Sequence, residues 1–144
     1  MTLTNEMINK FRYDLDFSPS FQYWEETEKT NGTFQSIRTL HPQIVTSLSN
    51  LGIDTLYHHQ FESISRVLYK KEHVVIVTGT ASGKSLCYQI PILTRYIETG
   101  NSTALLLFPT KALTNDQLRA MSSFSKTTLQ GIDDSSFTAV YDGD

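Results

Sequence analysis

The stretch that most constrains this chain runs from His73 to Gly100, where the apolar run H-V-V-I-V-T-G gives way to a bend, T-A-S-G-K-S, and then to L-C-Y-Q-I-P-I-L-T-R-Y-I-E-T-G. A short continuous run rich in β-branched residues fits a strand buried on both faces of a parallel sheet. After the bend, Leu86, Ile90, Leu93 and Ile97 fall near one face of a helix, with Gly100 as its stop and Pro91 predicting a kink or a slightly late start. A strand, a tight bend and a helix in this order leave the helix's first N–H groups without intrahelical partners at the top of the bend, where they suit an anion. Gly79 and Gly83 permit the bend because they lack a Cβ.

In such a cradle the Lys84 ammonium would reach the β and γ phosphates of a nucleoside triphosphate, and the Ser85 hydroxyl would ligate Mg2+. The candidate phosphate-binding residues are therefore Thr78, Gly79, Thr80, Ala81, Ser82, Gly83, Lys84 and Ser85. The strict pattern G-x-x-x-x-G-K-[ST] is missed at its first position, which is Thr78. A plain glycine turn is the competing reading, and the apolar run before the bend and the helix after it argue against that. Cys87, one turn into the helix, reads as a small buried apolar residue rather than a redox group.

Around this unit the chain alternates element types. H-P-Q-I-V-T-S-L-S-N-L-G predicts a short helix that starts at Pro42 and stops at Gly52. T-L-Y-H-H-Q-F-E-S-I-S-R-V-L-Y-K-K-E predicts a second, with Phe61, Ile64, Val67 and Leu68 on one face and a cationic last turn. Residues 102–108 form another apolar run, P-T-K-A-L-T-N-D-Q-L-R-A-M-S-S-F turns through Pro109 into a further helix, and residues 135–141 predict a third strand. Strand, helix, strand, helix, strand is the order of an α/β fold with a parallel sheet and flanking helices. Residues 1–40 show no clear period and read as an N-terminal extension whose aromatics Phe17, Phe21, Tyr23 and Trp24 serve packing.

Composition narrows the classes that remain. With 144 residues, 39% hydrophobic and 19% charged, one domain with a real core is expected. The net charge of -3 is spread evenly: residues 1–50 carry 4 basic and 6 acidic groups, 51–102 carry 5 and 4, and 103–144 carry 3 and 5. With no basic tail, any nucleic-acid contact must be local. A single cysteine excludes an internal disulfide, and the four histidines lack companion thiols at zinc-ligand spacing. No stretch approaches the roughly 20 apolar residues of a membrane span, so the chain reads as cytoplasmic, with no membrane partner.

Four blocks in order, Y-H-H-Q ending at Gln60, T-G-T-A-S-G-K-S-L-C-Y-Q-I-P-I-L, F-P-T-K-A-L-T-N-D-Q-L and Y-D-G-D, resemble the first RecA-like domain of superfamily 2 helicases. Among these they most resemble the DEAD/DEAH-type DNA helicases of the mitomycin repair factor A group. The likeness spans about residues 55–144. It implies a P-loop NTPase fold and ATP as cofactor. Gln60 would be the glutamine whose side-chain amide pairs with the adenine edge, with Tyr57 the nearest upstream aromatic. Pro109, Thr110 and Lys111 would form the turn that grips the backbone of a single nucleic-acid strand, with DNA favoured over RNA. A hydroxyl, a charge and helical N–H groups suit phosphate there, while a plain strand-to-helix turn capped by Thr110 is the alternative.

The family's acidic DExx segment is not found, so no catalytic set is complete. Asp133 and Asp134 lack a preceding apolar strand, and Asp142 falls in the block before the acidic motif. The expected organisation is thus an extension over 1–40 and, over 41–144, a partial first RecA-like domain truncated before the DExx motif. Its expected role is the ATP-binding opening portion of a helicase, inactive in unwinding alone, with the remaining helicase portion as a partner. A non-catalytic nucleotide- or partner-binding module is the second reading. A small-substrate P-loop kinase is the third, disfavoured because Arg66, Arg95 and Arg119 form no lid-like cluster.

Overall fold

Apolar spacing and capping residues set the helices where they stand. In the computed structural model, which describes Lys10, Tyr13, residues 32–130 and residues 137–141, strand β1 covers Phe34–Ser36 and leads through a 3-10 turn, Ile37–Thr39, to helix α1, Pro42–Asn50. Strand β2, Thr55–Tyr57, runs directly into α2, His58–Ser65, which continues as a π-helical segment, Arg66–Lys70. Helices α3, Leu86–Thr99, and α4, Lys111–Thr128, complete the order. The chain divides into two compact units, residues 1–31 and 32–144. Phe17, Phe21, Tyr23 and Trp24 lie outside the described residues.

Each helix end has a local cause. Pro42 occupies the first turn of α1, where its missing N–H costs nothing, and Gly52 follows the helix at φ +74. Gly100 ends α3 in the left-handed region, and its N–H donates to the Tyr96 carbonyl at 2.8 Å. Thr110 caps α4, its hydroxyl accepting the Leu113 N–H at 3.2 Å. The second predicted helix differs at both ends. Residues 55–57 pair with β1 instead of coiling, and the end widens into the π form, strapped by Arg66 to Glu62 at 2.7 Å and to Glu72 at 3.0 Å.

One apolar cluster joins these elements. Ile44 and Leu48 of α1, Leu56 of β2, Ile64 of α2, and Ile90 and Leu93 of α3 are fully buried, and Met121 and Phe124 of α4 close the cluster. The helices pack α2 on α3 and α1 on α4. Pro91 lies buried inside α3. Phe137 meets Tyr96 of α3 edge-on, ring centroids 5.0 Å apart.

The expected parallel sheet is not formed by the described residues, whose one sheet is the antiparallel pair β1–β2. Residues 71–79, 102–109 and 138–141 carry no strand ladder among the described residues, and residues 135 and 136 lie outside them. Burial on both faces is also corrected. Val75 and Val77 are 91% and 90% exposed, and Leu105 and Leu107 are each 83% exposed. Val74, Ile76 and Thr78, which alternate with Val75 and Val77, are partly covered. The period-two pattern of a strand is therefore present over 74–78, with one face on the helical layer and the other in solvent.

Two outcomes follow from this packing. Ile90→Ala, which hollows the centre of the cluster, lowers unfolding free energy by about 2–5 kcal/mol in urea titration. Val75→Ser with Val77→Ser leaves that stability within about 0.5 kcal/mol but reduces dye binding and self-association of the chain, measured by ANS fluorescence and light scattering.

Candidate nucleotide-binding site

The loop from Thr78 to Ser85 is held in shape by its own side chains and by one buried residue of α2. The Thr78 and Ser82 hydroxyls lie 2.7 Å apart and close the loop across its base. Thr78, which breaks the strict glycine pattern, is outside the positive-φ positions, so its Cβ is tolerated and its hydroxyl supplies this strut. Ala81 at φ +57 and Gly83 at φ +70 make the reversal. The first is a non-glycine residue in the left-handed region, a conformation that costs about 1 kcal/mol or more.

A side chain at Gly83 would force Gln60 to move. A Cβ would sit 2.4 Å from Nε2 of Gln60, in addition to the strain of its positive φ. Gln60, only 3% exposed, spends one bond at each end of its amide: Nε2 donates to the Gly83 carbonyl at 2.8 Å, and Oε1 accepts the Tyr57 N–H at 2.9 Å. The second bond reaches back to the residue before α2, as the glutamine of a capping box does. Tyr57 itself stacks on His59, centroids 5.7 Å apart, and tilts against Phe34 at 5.0 Å.

Lys84 folds its ammonium into the loop. It donates to the Thr78 carbonyl at 3.1 Å, to the Ser82 hydroxyl at 3.2 Å and to the Gly79 carbonyl. The turn into α3 begins here, with Leu86 N–H donating to Gly83 O at 3.2 Å and Cys87 N–H to Lys84 O at 3.0 Å. Among the described residues, the N–H groups of Thr80 to Ser85 make no well-aligned hydrogen bond to a protein oxygen. A row of uncommitted donors beside an ammonium suits a polyanion.

Ser85 is anchored from a distance. Its hydroxyl donates to Oε1 of Gln117 on α4 at 3.0 Å, and the Tyr88 hydroxyl donates to the same oxygen. Burial pushes the Tyr88 phenol above its ordinary range. Burial likewise pushes the Cys87 thiol up, which fits an inert packing residue. Sequence reasoning placed Gln117 in a motif block without a partner; the partner lies 32 positions away, and no local pattern marks such a contact.

The turn Pro109-Thr110-Lys111 stands at the N-terminus of α4, with all three residues exposed. Thr110 uses a lone pair as cap and keeps its O–H to donate. The loop and this turn are joined through α4, since Gln117 lies six residues beyond Lys111, about 9 Å along the axis. Asp133, Asp134 and Asp142 lie outside the described residues. No group of three or more His, Cys, Asp or Glu among the described residues could hold a metal ion. No helix among the described residues is long and apolar enough to cross a membrane.

The DEAD/DEAH box helicase family model matches residues 57–142, more than half of the chain, from the residue before α2 through the loop, α3 and α4. The chain belongs to the DEAD/DEAH box helicase family. It is 39% identical over 132 residues to the uncharacterized ATP-dependent helicase YprA of Bacillus subtilis, covering 91% of this chain and 17% of that protein. It is 41% identical over 85 residues to the ATP-dependent helicase hrq1 of Schizosaccharomyces pombe, covering 58% of this chain and 8% of that protein. The crystal structure of the DUF1998 helicase MrfA bound to DNA and AMPPNP superposes with TM-score 0.75 at 36% identity, over 85% of this chain and 17% of that one. MrfA bound to DNA alone superposes with TM-score 0.79 at 34% identity, over 100% and 19%. This chain therefore spans less than one fifth of the length of these relatives.

The tether predicts a coupled pair of substitutions. Gly83→Ala destabilises the chain by about 1–3 kcal/mol, and in a Gln60→Ala background the added cost shrinks because the clash, though not the φ strain, is gone. Urea midpoints of the four proteins measure the cycle.

Proposed function

We propose that this chain is the ATP-binding, strand-gripping opening portion of an ATP-dependent DNA helicase of superfamily 2. The observation that carries the reading is the loop itself: uncommitted N–H donors from Thr80 to Ser85 belong to the same turn that holds the Lys84 ammonium. A triphosphate entering there exchanges the neutral carbonyl acceptors of Lys84 for anionic ones. Ser85, at the first turn of α3, offers oxygen lone pairs to Mg2+ held by the phosphates, and the cation's contribution when bound is to neutralise phosphate charge.

Gln60 reads adenine in this proposal without releasing the loop. A primary amide carries two N–H groups and two oxygen lone pairs, and the bonds to Gly83 and Tyr57 use one of each. The remaining N–H and lone pair match the N7 acceptor and N6 donor of adenine. Thr110 and Lys111, at the positive end of the α4 dipole, bind the phosphate backbone of one strand without reading sequence. The likeness to MrfA bound to DNA favours DNA as that strand.

In this reading residues 41–144 form part of the first RecA-like domain, and residues 74–78 and 102–108 are strands of a parallel sheet whose exposed faces, Val75, Val77, Leu105 and Leu107, are covered by further helicase sequence. Hydrolysis and unwinding require an acidic segment and a second RecA-like domain, so the 144-residue chain binds without unwinding.

Two substitutions test the two halves of the site. Lys84→Ala weakens MgATP binding at least tenfold, measured by competition with a fluorescent ATP analogue; unchanged affinity overturns the cradle. Lys111→Ala weakens single-stranded DNA binding and lowers the slope of log affinity against log salt by about 0.7, the value for one phosphate contact on a single strand; an unchanged slope removes Lys111 from the grip.

A further inference from the structure

A serine hydroxyl that holds a cation must point its lone pairs at the metal, so its single proton has to be directed elsewhere. In this chain that proton has a specific recipient. Ser85 Oγ donates at 3.0 Å to Oε1 of Gln117, and Tyr88, one turn further along α3, donates its hydroxyl to the same oxygen. An amide oxygen has two lone pairs, so both donors are accommodated and neither displaces the other. With Oε1 rather than Nε2 placed against both hydroxyls, Ser85 gives up its proton there and keeps its lone pairs.

We propose that Gln117 is a positioning residue for the divalent cation: it takes the Ser85 proton, presents the Ser85 lone pairs to the metal, and thereby makes the cation dependence of nucleotide binding a property of α4 as well as of the loop. This rests on the reading of residues 78–85 as a phosphate cradle. Partners that orient a metal ligand without touching the metal typically change metal affinity by 10- to 100-fold when removed. The geometry has a structural corollary. The helix that holds Ser85 through Gln117 is the one whose first turn carries Thr110 and Lys111, so the cation site and the exposed turn share a single rigid element.

The test is the affinity of the 144-residue chain for ATP, measured by competition with a fluorescent analogue in excess Mg2+ and in EDTA, with helix content followed by circular dichroism. The unaltered chain binds more tightly with Mg2+ than without. Gln117→Met reduces that Mg2+-dependent gain at least fivefold while Mg2+-free affinity changes less than twofold. Gln117→Asn, which keeps an amide but falls short of Ser85, does the same, and Gln117→Glu, which keeps the acceptor at full length, retains the gain. In a Ser85→Ala background Gln117→Met has no additional effect. Should Gln117→Met lose helix content, the Asn and Glu variants carry the comparison. A full Mg2+ gain in Gln117→Asn, or a further loss on adding Gln117→Met to Ser85→Ala, overturns the proposal while leaving the cradle intact. Absence of ATP binding by the unaltered chain, with and without Mg2+, overturns the cradle and this proposal together.

Discussion

A buried amide holds the glycine-rich loop to the second helix, and the shape of the loop follows from that contact. Gln60 Nε2 donates to the Gly83 carbonyl while Gln60 Oε1 accepts from the backbone at Tyr57, so one side chain fixes both the start of α2 and the start of α3. The Gln60 amide is buried while its partners at Gly83 and Tyr57 reach solvent, so breaking the contact leaves chiefly the amide unsatisfied, at about 1–3 kcal/mol or less. The approach is close enough that any side chain at position 83 displaces the Gln60 amide and also strains the backbone at φ +70. Lys84, Ser85 and the free N–H groups between Thr80 and Ser85 inherit their places from this anchor and from the Thr78–Ser82 strut.

Packing gives the anchor its footing. α2 and α3 meet across Ile64 and Ile90, both fully buried, and α1 and α4 extend the same cluster through Leu48 and Phe124. The helices thus form one apolar layer, on which residues 74–78 lay every second side chain. The opposite side of that segment, with Val75 and Val77, meets solvent, as do Leu105 and Leu107. The proposed identity of the chain as a portion of a longer helicase accounts for this asymmetry, since a sheet in an α/β fold is covered on both faces.

Local chemistry was readable from residues, and non-local pairing was not. The bounds of α1, α3 and α4 follow from Pro42, Gly52, Gly100 and Thr110 together with apolar spacing, because caps and periodicity are short-range. The antiparallel pairing of Phe34–Ser36 with Thr55–Tyr57 left no signal, since two strands of three residues are too short to show a period. The runs at 73–79 and 102–108 have strand composition, yet a ladder depends on partners that composition does not supply. At the site, the loop residues and Thr110 as a cap were legible. The inward fold of Lys84, the two-ended bond of Gln60 and the reach of Gln117 to Ser85 are tertiary facts, and the last two join residues 23 and 32 positions apart.

The central claim is that the row of uncommitted N–H groups from Thr80 to Ser85 receives nucleotide phosphate, and amide hydrogen exchange on the 144-residue chain measures those groups directly. On addition of MgATP the account predicts slowed exchange across residues 79–88, with residues 42–50 of α1 unchanged. Exchange in residues 79–88 that stays the same at saturating MgATP, or protection confined to another segment, would contradict it.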